Sequence, residues 1–126
     1  MIVGTGVDIA EVDRIEAAVK RFGDRFLRRV FTPAEVRYCV GKLNAAERLA
    51  ARFAAKEAGM KAIGTGLRHG ISWQDVEVLR LPGQRPVLKF SGKAAEFAAR
   101  LGCKRTHLSL SHTASQAIAH VILEGD

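Results

Sequence analysis

Leu49, Phe53, Lys56, Met60 and Ile63 are spaced 4, 3, 4 and 3 residues apart, which puts them on one face of a helix with a lysine in the middle of an apolar stripe. Glu57 follows that lysine directly, and Lys61 lies one turn beyond Glu57. On a solvated helix Lys56 would lay its stem along apolar surface, and Glu57 with Lys61 would form an ordinary pair worth about 0.2–0.5 kcal/mol. The loop behind them, Gly64-Thr65-Gly66, supports a second reading. Its glycines either end the helix as a C-cap or let backbone N–H groups approach phosphate oxygens, and it lacks the Gly-Lys-Ser/Thr ending of a P-loop. Asp8 is the other carboxylate of interest, at the end of an apolar N-terminal segment. It either caps the next helix, faces solvent, or pairs with Glu57 in space. Mg²⁺ commonly takes one or two carboxylates from a protein, with substrate phosphates and waters filling its shell, so Asp8 and Glu57 with the lysines would suit a Mg²⁺-diphosphate substrate.

His112 ends the alternating segment Leu108-Ser109-Leu110-Ser111-His112-Thr113. It shares a face with Leu108 and Leu110, where a core-edge histidine bonded to backbone is the simpler account. Ser111 points to the opposite face, which disfavours a Ser-His nucleophile.

Charge indicates a partner. Among 126 residues, 20 Lys+Arg against 13 Asp+Glu leave +7, and the stretch from Arg14 to Arg29 holds six basic and two acidic residues, a local +4. In a continuous helix Arg14, Arg21, Arg25 and Arg28 fall within about 60° of one another. Such a face is a solvated surface or a docking site for an acidic helix, with steering as its electrostatic benefit. Nucleic acid competes on charge alone, because the patch has no interleaved aromatics beyond the core-facing Phe22 and Phe26 and no binding motif. Two cysteines make no disulfide framework, the apolar start Met1-Ile2-Val3 lacks a basic leader, and no run approaches the ~20 apolar residues of a membrane span. The expectation is a cytoplasmic protein, not a secreted or membrane one.

These residues need elements to position them. Ile2 to Ile9 predicts a strand in which Gly4 and Gly6 call for close approach of another backbone or a ligand. Val12, Ile15, Val19, Phe22 and Phe26 predict a helix that Gly23 interrupts. Thr32-Pro33-Ala34-Glu35 is a capping box, and Asn44-Ala45-Ala46-Glu47 has the related form before a long helix to about Ile63. Trp73 to Leu79 and Pro86 to Phe90 predict short strands around the Pro82-Gly83 turn. Ser91 opens a helix that ends at Gly102, and His107–His112 with Ala117–Leu123 form a hairpin. With no repeat and no linker, the prediction is one α+β domain over residues 1–126, a mainly antiparallel sheet packed against a long helix.

Gly4-Thr5-Gly6-Val7-Asp8-Ile9, Phe31-Thr32-Pro33-Ala34-Glu35, Arg52-Phe53-Ala54-Ala55-Lys56-Glu57-Ala58, Lys61-Ala62-Ile63-Gly64-Thr65-Gly66 and Leu108 to Thr113 together resemble the small bacterial type of phosphopantetheinyl transferase, the holo-acyl-carrier-protein synthases. Five motifs in register across the chain make the resemblance specific, although Gly59-Met60 and the stretch from Leu81 to Lys104 depart from it. The resemblance implies the phosphopantetheinyl transferase fold. It also implies transfer of the 4′-phosphopantetheine arm of coenzyme A to a serine of apo acyl carrier protein, releasing 3′,5′-ADP, in support of fatty acid biosynthesis. It implies Mg²⁺ on Asp8 and Glu57, and Lys56 and Lys61 near the phosphates. Lys61, Gly64, Thr65, Gly66, His112 and Thr113 would contact coenzyme A, and Arg14, Arg21 and Arg25 would meet the carrier protein. A homotrimer with sites between protomers is the implied assembly.

Overall fold

In β1 (Ile2–Glu11) the residues alternate, with Thr5, Val7 and Ile9 exposed on one face and Gly4, Gly6, Asp8 and Ala10 turned toward the protein interior. The computed structural model describes residues 1–126. The interior face of β1 meets α4 (Ala45–Ala62), whose buried Ala50, Ala54, Ala58 and Ala62 keep it thin. A Cβ on Gly6 would sit 2.0 Å from the carbonyl oxygen of Ala58, and one on Gly4 would sit 2.2 Å from that of Ala62. The two glycines are therefore where strand and helix backbones touch, and the approaching backbone is the helix.

β1 pairs antiparallel with β5 (Gln116–Glu124), which pairs antiparallel with β4 (Arg105–His112), giving the order β1-β5-β4. Ala117, Ala119, Val121 and Leu123 of β5 are buried under α4, and they form the centre of the core. The opposite face of the sheet has no covering layer and carries the exposed Val7, Ile9 and Ile118.

α1 (Val12–Phe22) ends at Gly23, whose φ of +56° suits glycine, and α2 (Asp24–Val30) starts afresh. The arginines from 14 to 29 thus lie on two helices instead of one continuous face. α3 (Pro33–Cys39) has the expected capping box: Thr32 accepts from the Glu35 N–H, and the Glu35 carboxylate accepts from the Thr32 N–H. The box expected at α4 does not form, because the Asn44 side chain accepts from Arg48 Nε at 2.7 Å instead. A short 3₁₀ turn (Trp73–Asp75) leads into β2 (Val76–Leu79), which pairs with β3 (Val87–Phe90) as a separate antiparallel hairpin. α5 (Gly92–Arg100) follows. The hairpin lies against α4 at Gly59, where a Cβ would come within 3.0 Å of Val76 and Leu88. α4 is thereby held between the sheet and the hairpin. The α+β expectation, a mainly antiparallel arrangement against a long helix, holds.

Candidate active site

Asp8 lies well inside β1, not at its end, and on the face that meets α4. One turn of that helix brings Glu57 beside it and the next brings Lys61. The Lys61 ammonium donates to Asp8 Oδ1 at 2.7 Å, so Asp8 is neither a helix cap nor a solvent carboxylate. Lys61 reaches across to the strand instead of forming the surface pair with Glu57. The hydrogen bond to Asp8 holds its ammonium above the usual lysine range. Burial, then the adjacent Asp8 charge, pushes the Glu57 carboxyl up. Asp8 and Glu57 open onto a cleft of about 550 Å³ between β1, α1 and α4, lined also by Arg14, Phe26, Phe53 and Gln116. Arg14 belongs to this cleft and offsets the charge on Glu57. A second, more apolar cleft of about 380 Å³ shares Phe26 and Phe53 with it and adds Phe22, Arg25, Arg29 and Trp73.

The donor set fits a hard divalent cation. Asp8 and Glu57 are two carboxylates with one cationic partner on Asp8, and Glu57 is destabilised as an anion until a further positive charge or a proton arrives. No group of three or more His, Cys, Asp or Glu side chains gathers here or elsewhere in the chain, and two carboxylates leave positions for phosphate oxygens and water.

Lys56 is not in the cleft. Its side chain is fully buried on another side of α4, about 100° around the axis from Glu57, where the ammonium ion-pairs with Glu35 Oε1 at 2.8 Å and donates to the Trp73 and Val76 carbonyls. This corrects the expectation that Lys56 contacts phosphate, because all three of its donors are already used. It is not a snorkelling lysine either. Burial lowers its pKa and the Glu35 charge works against that shift.

The loop glycines also differ from expectation. The N–H groups of Gly64, Thr65 and Gly66 donate to the Lys61 and Met60 carbonyls, closing the end of α4, so the C-cap reading holds and these donors are not free for phosphate. Gly64 and Gly66, both at positive φ, leave open space on their Cα faces.

His112 and Thr113 lie away from Asp8 and Glu57. His112 sits two strands from β1, across β5, with Nδ1 3.1 Å from Glu47. Thr113 Oγ1 is occupied within the β4–β5 turn, accepting from the Ser115 and Gln116 N–H groups. His112 lines a separate cleft of about 300 Å³ with Arg48, Arg52, Arg80 and Arg85. Tyr38 gathers this charge: the guanidinium groups of Arg52, Arg48 and Arg80 lie 4.3, 5.4 and 5.9 Å from its ring centre. Arg52 is 4% exposed, yet its Nε has no partner, a buried donor suited to an anion. Sequence reading missed these arginines. Their signals were the i,i+4 spacing of Arg48 and Arg52 and the place of Arg52 at the head of a family motif; Tyr38, Arg80 and Arg85 join them only through folding. The two clefts lie on opposite flanks of α4, since Arg52 and Glu57 are five residues apart, about 140° around the axis.

Residues 4–120 match the family model of the 4′-phosphopantetheinyl transferase superfamily. The holo-[acyl-carrier-protein] synthase of Koribacter versatilis is 64% identical over 98% of this chain and 99% of its own. The crystal structure of holo-[acyl-carrier-protein] synthase from Neisseria meningitidis superposes with a TM-score of 0.87 at 33% identity, covering 98% of this chain and 99% of that one. The Helicobacter pylori holo-[acyl-carrier-protein] synthase in complex with coenzyme A gives 0.83 at 33% identity, over 95% and 99%. With the motif residues Asp8 and Glu57 on one cleft and Lys61 bonded to Asp8, the chain belongs to the holo-[acyl-carrier-protein] synthases of the 4′-phosphopantetheinyl transferase superfamily.

Proposed function

We propose that the protein transfers the 4′-phosphopantetheine arm of coenzyme A to a serine of apo acyl carrier protein, in the cytoplasm and in support of fatty acid biosynthesis. The observation that carries this reading is Asp8 and Glu57 on one cleft, with Lys61 bonded to Asp8, beside an apolar groove that shares Phe26 and Phe53 with that cleft and is flanked by arginines. In the reaction the serine oxygen forms a bond to the β-phosphorus of coenzyme A, the bond from that phosphorus to 3′,5′-ADP breaks, and the leaving group departs with the electron pair.

Asp8 and Glu57 would hold Mg²⁺, which supplies Lewis-acid and template chemistry when bound. Lys61 enters charged, because Asp8 holds its ammonium above the usual range, and it offsets negative charge on the phosphate oxygens. Glu57, a carboxylate of the cleft, takes the serine proton. Arg14 at the cleft with Arg21 and Arg25 on the flanking helices meet the acidic surface of the carrier protein, and the groove of Phe22, Phe26, Phe53 and Trp73 takes its apolar side chains.

The nucleotide end of coenzyme A belongs with His112 and the arginine cleft, on the far flank of α4. A substrate bound at Asp8 and Glu57 would have to pass around that helix to reach the arginines of the same protomer. A neighbouring protomer can supply them, and the bare sheet face bearing Val7, Ile9 and Ile118 offers a surface for its approach. This supports sites between protomers, as in the homotrimer that the family resemblance implies.

The test is to incubate the purified protein with coenzyme A, Mg²⁺ and apo carrier protein, and to weigh the carrier. The mass of one phosphopantetheine group is expected on it; no gain across several carriers would sink the proposal.

A further inference from the structure

Lys56 and Glu35 are fully buried and fully paired, yet neither touches the cleft. The Lys56 ammonium spends its three donors on Glu35 Oε1 and on the Trp73 and Val76 carbonyls. Glu35 Oε1 also accepts from the Thr32 N–H, and Oε2 accepts from the Val78 N–H, both at 2.8 Å. Thr32 Oγ1 in turn donates to Glu77. One ion pair thereby ties four elements: the start of α3, the 3₁₀ turn, β2, and α4 at the residue directly before Glu57.

Two of those attachments bear on the cleft. Trp73, whose carbonyl Lys56 holds, stacks on Phe53 with ring centres 5.0 Å apart, and Phe53 lines the cleft beside Glu57. Gln74, next in the same turn, donates to the Arg28 and Phe31 carbonyls and so fixes the turn against the end of α2. On the other side α4 is seated on β1 through Gly4 and Gly6. Movement of α4 at Lys56 would carry Glu57 and Phe53 together.

We infer that the Glu35–Lys56 pair is a positioning element for the transfer reaction. It sets the turn of α4 that carries Glu57 and holds Trp73 against Phe53, the residue of that pair shared by the catalytic cleft and the apolar groove. This rests on the transferase reading above. A charge pair is suited to such a task because its geometry is narrowly specified, while removal of one partner leaves a buried charge uncompensated.

Trp73 is the single tryptophan of the chain, so intrinsic fluorescence reports on this wall. The experiment compares wild type with Lys56→Met and Glu35→Gln, each shown folded by far-UV circular dichroism and held well below its melting midpoint. In Lys56→Met, kcat is expected to fall by about tenfold to a hundredfold, the scale of an ångström-level misplacement, with KM for coenzyme A within about twofold. Trp73 emission is expected to move to longer wavelength, and Glu35→Gln to change both readouts in the same direction by less. Should Lys56→Met fail to fold, the isosteric Glu35→Gln carries the test alone. A folded variant with wild-type kcat overturns the proposal. So does a fall in kcat with unchanged Trp73 emission and no effect of Glu35→Gln, since that would put Lys56 itself on the substrate. Absence of transfer by the wild-type chain would instead remove the transferase reading.

Discussion

The Lys61 ammonium lies 2.7 Å from Asp8 Oδ1, joining α4 to β1 across 53 residues of sequence. Lys61 is about half exposed, so this bond is worth little to the fold, about 0–1 kcal/mol for a solvated pair. On the proposed reading its value lies in aiming a positive charge at the point where a diphosphate would meet the carboxylates.

Lys61→Met should therefore separate stability from activity. The melting temperature is expected to change by no more than a few degrees, while kcat falls by about 10²–10³-fold, the range for losing one preorganised electrostatic partner. Because Asp8 holds the Lys61 pKa above its usual value, the stability it contributes is fully present below the ordinary lysine pKa of about 10.4 and is lost only as pH rises through the higher folded value. Between pH 6 and 9, by that reasoning, the melting difference between wild type and Lys61→Met should stay flat. Differential scanning fluorimetry across that range, paired with steady-state transfer rates, checks both halves.

Glu57→Gln should do the reverse. The folded state holds this carboxyl above its ordinary pKa, first through burial and then through the Asp8 charge. Such a group favours folding fully below its unfolded pKa of about 4.3 and loses that contribution as pH rises through the folded value. At neutral pH without divalent cations, ionised Glu57 thus opposes folding, and the amide removes the opposition. The variant is expected to melt above wild type at pH 7, to match it near pH 4, and to transfer nothing. Added Mg²⁺ should raise the wild-type midpoint and leave that of Glu57→Gln unmoved. A variant that melts below wild type at pH 7 would contradict the assignment.

Gly6→Ala should damage both fold and site. The added Cβ would lie 2.0 Å from the Ala58 carbonyl oxygen, a backbone atom that cannot rotate aside, so β1 and α4 must part. Overpacking of this kind costs about 1–3 kcal/mol, readable by urea denaturation. Asp8 lies two residues on, so the same shift takes it away from Glu57 and Lys61. Transfer is expected to fall further than the loss of folded protein explains.

These residues also show what a sequence exposes and what it hides. Gly4 and Gly6 announced a close approach because glycine costs strand stability unless something needs the space, and Thr32-Pro33-Ala34-Glu35 announced a helix start because its partners are local. Asp8 and Glu57 could be named as a pair by chemistry and family motif. Their meeting, and the capture of Lys61 by Asp8, depends on how the helix sits on the sheet. Lys56 misled for the same reason: its partner Glu35 lies 21 residues away, and nothing in the spacing tells a lysine facing substrate from one facing a buried carboxylate. The arginines around Tyr38 were hidden most fully, coming from a helix and a distant hairpin loop.

The position of the arginine cleft yields a test of assembly. Glu57 and His112 lie at clefts on opposite flanks of α4, so a substrate spanning both chemistries would draw Glu57 from one protomer and His112 with Arg85 from the next. Two inactive chains can then repair each other. Glu57→Ala lacks one half of the site, and the double variant Arg85→Ala/His112→Ala lacks the other. Each is expected to show little transfer alone. When the two are unfolded together in equal amounts and refolded as mixed cyclic trimers, a given site pairs an intact Glu57 with an intact arginine cleft in about one case in four. About a quarter of wild-type activity should return on that count. Equal amounts refolded separately and then mixed without exchange should recover none. If the co-refolded sample forms mixed trimers by mass and still recovers nothing, each protomer carries its whole site, and the substrate must reach around α4 within one chain.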